Sequence, residues 1–302
     1  MKLATIRVNG TTRAVKADGP VLAADTVPAG DTVPAADAVL VDLGARDLGE
    51  FLSAGDWMER AAAASAAVPG AVTYPAAGAD FAPLVPNPSK VVCVGLNYRN
   101  HIQEMGRELP KYPTLFAKFP DTLLGAHDDL VKPPETDKWD WEAELAVVIG
   151  RPVRRVRGAQ AEAAIAGFAV LNDVSARDYQ SRTSEWLQGK MWDRSTPVGP
   201  YLVTPDELPG GTRPALKIEL VVDGETMQDD TTGDLLFDPV ALVEYISTIT
   251  RLNPGDLIAT GTPGGVGAGR KPPRFLVGGE QVTARIEGLG GCVNRVVKEV
   301  AP

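Results

Sequence analysis

The chain has 302 residues, 44% of them hydrophobic and 23% charged, with a formal net charge of −9. That length can bury a sizeable core in one large domain or two smaller ones, and the composition is that of a soluble globular protein. The acidic balance, with no basic stripe, excludes nucleic acid and anionic membrane as favoured partners, and no apolar run is long enough to span a bilayer.

In chain order, Leu3 to Val8 alternates like a strand and lacks the apolar centre of a signal peptide. It pairs with Ala14 to Lys16 across Asn9-Gly10, a dipeptide suited to a tight hairpin turn. Next, Asp25-Thr26-Val27-Pro28-Ala29 is echoed by Asp31-Thr32-Val33-Pro34-Ala35. Two copies do not make a repeat protein, and the prolines and small residues predict an exposed, dispensable loop over Asp25 to Ala36. Short helices are expected at Asp47 to Ser53 and Trp57 to Ala66, with Asp47 and Asp56 as N-caps. Prolines from Pro69 to Pro88 then mark a linker. It divides a small N-terminal β-rich domain, 1–85, from a larger one, 86–302.

From Lys90 the pattern turns to strands separated by loops and short helices. Strands are expected at Val91 to Val94, Glu144 to Ile149, Ile165 to Asn172, Tyr201 to Thr204, Leu216 to Val222, Leu257 to Ala259 and Gln281 to Ile286. Asn100 to Met105 and Ala161 to Ala164 are expected as short helices. Pro239 to Thr250 reads as a longer one, with Leu242, Tyr245, Ile246 and Ile249 on its apolar face. Strands outnumber helices without a regular βαβ alternation, so the fold class is α+β. Cys93 and Cys292 sit in apolar or glycine-rich surroundings and read as reduced core residues of a cytoplasmic protein, with a chance pairing left open.

The chemistry starts at Trp139-Asp140-Trp141-Glu142-Ala143-Glu144. Glu142 and Glu144 lead into a buried strand two residues apart, so both project from one face. Two like charges beside a core repel and lose hydration, a conflict that a hard cation such as Mg²⁺ or Mn²⁺ resolves. A solvated strand end is the alternative. The two histidines, His101 and His127, are too few for a histidine-rich zinc site. Asp173 ends an apolar strand and can converge on a site or cap a helix. His101 and Glu104, three apart on a helical stretch, can form a carboxylate-oriented base or an ordinary surface pair. Lys190 can hold a substrate carboxylate or balance developing negative charge, or simply be solvated. Gly261 and Thr262, where a strand enters a glycine-rich loop, can bind an anionic oxygen or make a plain turn. That loop lacks the Gly-Lys-Ser/Thr ending of a phosphate-binding loop.

Five motifs occur in order: Gly95-x-Asn97-Tyr98-x-x-His101-x-x-Glu104; Glu142-x-Glu144-Leu145-Ala146-x-Val148-Ile149-Gly150; Asn172-Asp173-Val174-Ser175-Ala176-Arg177-Asp178; Gly189-Lys190 with Thr196-Pro197-x-Gly199-Pro200; and Thr260-Gly261-Thr262-Pro263-x-Gly265-Val266-Gly267. Together they resemble the fumarylacetoacetate hydrolase superfamily over residues 88 to 300. The resemblance implies a mixed β-roll catalytic domain in a homodimer, with Mg²⁺ or Mn²⁺ on Glu142, Glu144 and Asp173. It also implies a base dyad of His101 and Glu104, and Lys190 and Thr262 at a small anionic oxo-acid substrate. Where many relatives read Lys-Ser-Phe-Asp, this chain has Lys190-Met191-Trp192-Asp193, which leaves the adjoining pocket shape open. The expected activity is metal-dependent C–C hydrolysis of a 2,4-dioxo acid of the acylpyruvate type. The same site can instead serve an oxo-acid decarboxylase, a tautomerase or an isomerase of aromatic catabolism. A non-catalytic metal-dependent binding protein is the rival from another class, although binding alone needs no base such as His101.

Overall fold

The computed structural model describes residues 1–19, 38–104, 106 and 108–299; the loop expected over Asp25 to Ala36 lies outside the described residues. An eleven-stranded mixed sheet organises the molecule. From one edge it runs Thr73–Pro75, Val39–Asp42, Thr11–Asp18, Lys2–Val8, Thr196–Val203, Ile165–Asn172, Ala143–Ile149, Leu257–Ala259, Val91–Gly95 and Thr114–Lys118. Leu123–Leu124 pairs alongside Thr196–Val203. The compositional change near residue 85 does not interrupt this sheet, because Lys2–Val8 hydrogen-bonds to Thr196–Val203. A second sheet of five strands, Glu225–Thr231, Lys217–Val222, Gln281–Ile286, Gly290–Lys298 and Leu130–Lys132, packs over the middle of the first.

Ala143–Ile149 and Ile165–Asn172 are buried along their whole length. Their side chains still alternate. Leu145, Val147, Phe168 and Val170 point into a core shared with the second sheet. Ala146, Val148, Ala169 and Leu171 point into a core closed by Phe51, Leu52 and Trp57 from two short helices. Burial on both faces explains why these strands read as continuous apolar runs.

The predicted hairpin forms with Val8 opposite Thr11, and Asn9 (φ 49°) and Gly10 (φ 76°) take the left-handed positions of its turn. Asp47 caps Leu48–Ser53 by accepting from the Glu50 N–H at 2.9 Å. Asp56, also expected as a cap, makes no capping hydrogen bond to Trp57–Ala63. In Pro239–Ile249 the buried face is Val240, Leu242, Val243 and Ile246, whereas Ile249 is exposed. Sequence periodicity overlooked Thr114–Lys118, Glu225–Thr231 and Gly290–Lys298. The polar Glu225–Thr231 is an edge strand, and Gly290–Lys298 opens on two glycines, so neither shows a clear apolar alternation. Cys93 and Cys292 are buried and unpaired. Among the described residues, no helix is long and apolar enough to cross a membrane.

Candidate active site

Antiparallel pairing brings the acids together. Ala143 lies opposite Asn172, so Glu142 and Asp173 meet at adjacent strand ends. The Asp173 N–H donates to the Glu142 carbonyl at 2.8 Å, and the Glu142 N–H donates to Asn172 Oδ1 at 2.9 Å. Carboxylate oxygens of Glu142, Glu144 and Asp173 lie within 4.8 Å of one another, and all three residues are buried. Asp173 caps no helix. The next one, Arg177–Gln180, has Ala176 at its N-cap position.

Three cations pair with acids of this centre. Lys190 Nζ donates to Glu142 Oε2 at 2.7 Å and to Asp173 Oδ2 at 2.8 Å. Lys118 Nζ bonds Asp173 Oδ1 at 2.5 Å. Arg177 reaches Glu142 Oε1 at 2.6 Å and, through Nε, Asp140 Oδ2 at 2.7 Å. Asp140 in turn accepts from the Gly267 and Ala268 N–H groups at 2.7 and 3.0 Å, tying the glycine-rich loop to Arg177.

Among the described residues four carboxylates therefore face three cations, and the residual negative charge falls on Glu144. Among the described residues, no cation lies within ion-pair distance of it. The Gly261 N–H donates to its Oε2 at 2.7 Å. Burial, then Asp173 and Glu142, push the Glu144 carboxyl well above its ordinary range, more than Lys190 and the Gly261 N–H can offset. Burial works in the same direction on Asp173, but Lys118 and Lys190 outweigh it and hold that carboxyl below its usual range. A converging all-oxygen set with one uncompensated charge fits a hard divalent cation, which Glu142, Glu144 and Asp173 would hold.

A cavity of about 500 Å³ opens over this centre, and His101, Glu142, Glu144, Arg177, Lys190 and Thr262 all border it. His101 rides on the helix Arg99–Glu104 and borders the same cavity as the acids; the side chain of Glu104 lies outside the described residues. That helix is pinned by Arg99, which donates to the Leu235 carbonyl at 2.6 Å, and by Asp234, which accepts from the Asn100 N–H at 2.8 Å. The loop residues Gly261 and Thr262 make hydrogen bonds within the protein, and Thr262 also borders the cavity. The Gly261 N–H is given to Glu144, and the Thr262 hydroxyl donates to the Ala143 carbonyl at 2.9 Å while accepting from Gln228 at 2.8 Å. Gly261 has φ +98°, and a Cβ there would lie 2.8 Å from the Val94 carbonyl, so glycine is what lets this amide reach the acid.

Trp186 and Phe116 give the cavity an apolar wall and meet edge to face at 5.6 Å. A Cβ on Gly95 would stand 2.2 Å from the Trp186 ring, so that wall closes only against a glycine. Met191 and Trp192 do not border this cavity. Trp192 packs edge-on against Tyr179 and Trp139, with its Nε1 donating to the Gln188 carbonyl at 3.0 Å. Sequence reasoning missed Lys118, Asp140 and Arg177 as parts of the site. Arg177 and Asp140 lay within stretches already singled out. Lys118 ends a strand whose only signal is the short alternation Thr-Leu-Phe-Ala-Lys.

The profile of the family described as Fumarylacetoacetate (FAA) hydrolase C-terminal matches residues 90–297. The chain is 44% identical over 214 residues to rat "Oxaloacetate tautomerase Fahd2a, mitochondrial", covering 70% of this chain and 68% of the relative. It is 45% identical over 215 residues to the human protein "Oxaloacetate tautomerase FAHD2A, mitochondrial", again covering 70% of this chain and 68% of the relative. Among solved structures it is similar to a fumarylacetoacetate hydrolase from Exiguobacterium antarcticum, with a TM-score of 0.82 and 30% identity over 99% of this chain and 100% of the other. A 2-hydroxyhepta-2,4-diene-1,7-dioate isomerase from Mycobacterium marinum superposes with a TM-score of 0.74 and 28% identity over 100% of both chains.

Proposed function

Because the chain belongs to the fumarylacetoacetate hydrolase family, we propose that it is a divalent-metal-dependent keto–enol tautomerase of a small 2-oxo acid, with oxaloacetate the first substrate to test. This reading takes precedence over the acylpyruvate hydrolase expected from sequence. The observation that carries it is the 44% identity to a relative named for oxaloacetate tautomerisation, in a chain whose acids, Lys190 and His101 meet at one cavity.

Tautomerisation moves one proton between the 2-oxygen and C3. The π bond shifts between C2–O and C2–C3, and no σ bond to carbon other than C–H is made or broken, so the site needs a proton carrier and a means of stabilising the enolate. His101 borders the cavity and is the group suited to carry the proton near neutral pH. A cation held by Glu142, Glu144 and Asp173 would supply Lewis-acid stabilisation of developing negative charge at the 2-oxygen. Lys118, Lys190 and Arg177 hold two of those acids in place, and Trp186 and Phe116 shield one side of the cavity from water. Lys190, bonded to Glu142 and Asp173, also borders the cavity, where its charge can offset negative charge developing on the substrate.

The discriminating experiment follows the Mg²⁺-dependent decay of enol-oxaloacetate by ultraviolet absorbance beside pyruvate release from acetylpyruvate, each corrected for its spontaneous rate. The expected result is accelerated oxaloacetate tautomerisation with a higher kcat/KM than acetylpyruvate cleavage. A higher kcat/KM for acetylpyruvate would return the assignment to a C–C hydrolase.

A further inference from the structure

The charge balance of the centre carries a consequence for the substrate. Among the described residues, four carboxylates against three cations leave one negative charge, so a divalent ion there would leave one positive charge, enough to balance one substrate carboxylate. Of the lysines and arginines that border the cavity among the described residues, Arg177 and Lys190 are committed to those acids. Arg270 also borders the cavity, where it follows the turn Gly267–Gly269, and it has no bond to the cluster.

Its partner is Glu225, whose side chain is 58% exposed. Arg270 Nη2 lies 3.2 Å from Glu225 Oε1, while Arg274 Nη1 holds Glu225 Oε2 at 2.6 Å. Glu225 therefore keeps a charge-paired partner and water if Arg270 turns away. Releasing Arg270 strands no buried charge, unlike releasing Lys190 or Arg177. A guanidinium also presents the planar fork that matches a carboxylate.

We infer that Arg270 binds a second carboxylate at the mouth of the cavity and so sets a preference for dianionic over monoanionic 2-oxo acids. This rests on the oxo-acid reading of the same site and adds to it the charge class of the substrate.

The test compares the wild type with Arg270→Gln and Arg270→Lys, each saturated with Mg²⁺. Calorimetric titration with malate and with lactate isolates the second carboxylate, since both ligands carry a 2-hydroxy acid head. The wild type should prefer malate, and Arg270→Gln should lose about 10-fold or more of malate affinity with lactate unchanged, the range of a charge-assisted hydrogen-bonded pair. Arg270→Lys should restore part of the preference. In turnover, Arg270→Gln should raise the KM for oxaloacetate by a similar factor while kcat holds. A wild type that binds malate no more tightly than lactate, or an Arg270→Gln protein that keeps the preference, overturns the inference. The binding arm involves no reaction, so a protein that shows the malate preference yet turns over no oxaloacetate would reject the tautomerase reading and keep the anion subsite.

Discussion

Two charged clusters lie on the same large sheet and are built to opposite ends. At the N-terminal seam, Arg7 donates to Asp128 at 2.9 and 2.7 Å, to Asp80 at 2.7 Å and to the Phe81 carbonyl at 3.1 Å. Asp128 also accepts from the Gly125 N–H at 2.8 Å. One cation meets two acids near water, and the cluster fastens the N-terminal strands to the rest of the molecule. At the centre, Glu142, Glu144, Asp173 and Asp140 are buried with Lys118, Lys190 and Arg177, and Glu144 has no ion-pair partner among the described residues. Ion pairing alone therefore does not mark function. An unbalanced buried acid beside a cavity does, because folding tolerates that cost only where something else offsets it.

The largest effect should come from Glu144→Gln, which removes the unbalanced charge and keeps the shape. Metal-dependent turnover should fall by roughly 10²-fold or more, as for loss of a preorganised electrostatic group. The metal-free protein should melt no lower than the wild type, since burial, Asp173 and Glu142 all disfavour the charged carboxylate that the substitution removes. A lower melting temperature would mean that Glu144 is a structural pair member like Asp128. His101→Ala should cost on the order of 10² to 10⁴ in turnover, the range of a positioned acid–base group, while Mg²⁺ affinity by calorimetry stays close to wild type. Lost metal affinity with turnover preserved at saturating metal would make His101 a ligand or prop.

Asp140→Asn tests how far the centre extends. It leaves an oxygen for the Gly267 N–H but removes the charge that orients Arg177, so kcat/KM should drop about 10- to 100-fold, as for partners of metal ligands. A change confined to melting temperature would confine Asp140 to loop anchoring. The smallest effect belongs to the seam. Burial raises the Asp128 carboxyl, but hydrogen bonds from Arg7 and Gly125 outweigh it and hold the group below its ordinary range. Its contribution is therefore complete above the unfolded value near pH 4 and is lost as pH falls through the lower folded value. Asp128→Asn should cost about 1 kcal/mol at pH 7 in urea unfolding, narrowing toward zero in strong acid, with turnover unchanged. A deficit constant across pH would assign the effect to packing.

Much of the centre was legible in the sequence because strand periodicity is local. Two glutamates two residues apart at the mouth of an apolar run must share a face, and the hairpin at Asn9-Gly10 follows from the backbone freedom of those two residues. Ordered motifs brought His101, Asp173 and Lys190 into the same site on resemblance. Periodicity was less reliable for the apolar face of Pro239–Ile249, because helix burial depends on what packs against it. What the sequence determined by itself was thus the strands with strong apolar patterns, the hairpin and the identity of the acids. The partnerships among them belong to the fold: Lys118 meets Asp173, Asp140 links the glycine-rich loop through Arg177 to Glu142, and the Gly261 N–H serves Glu144. Those contacts join residues far apart in the chain, so sheet register and strand order create them, and no local pattern encodes either.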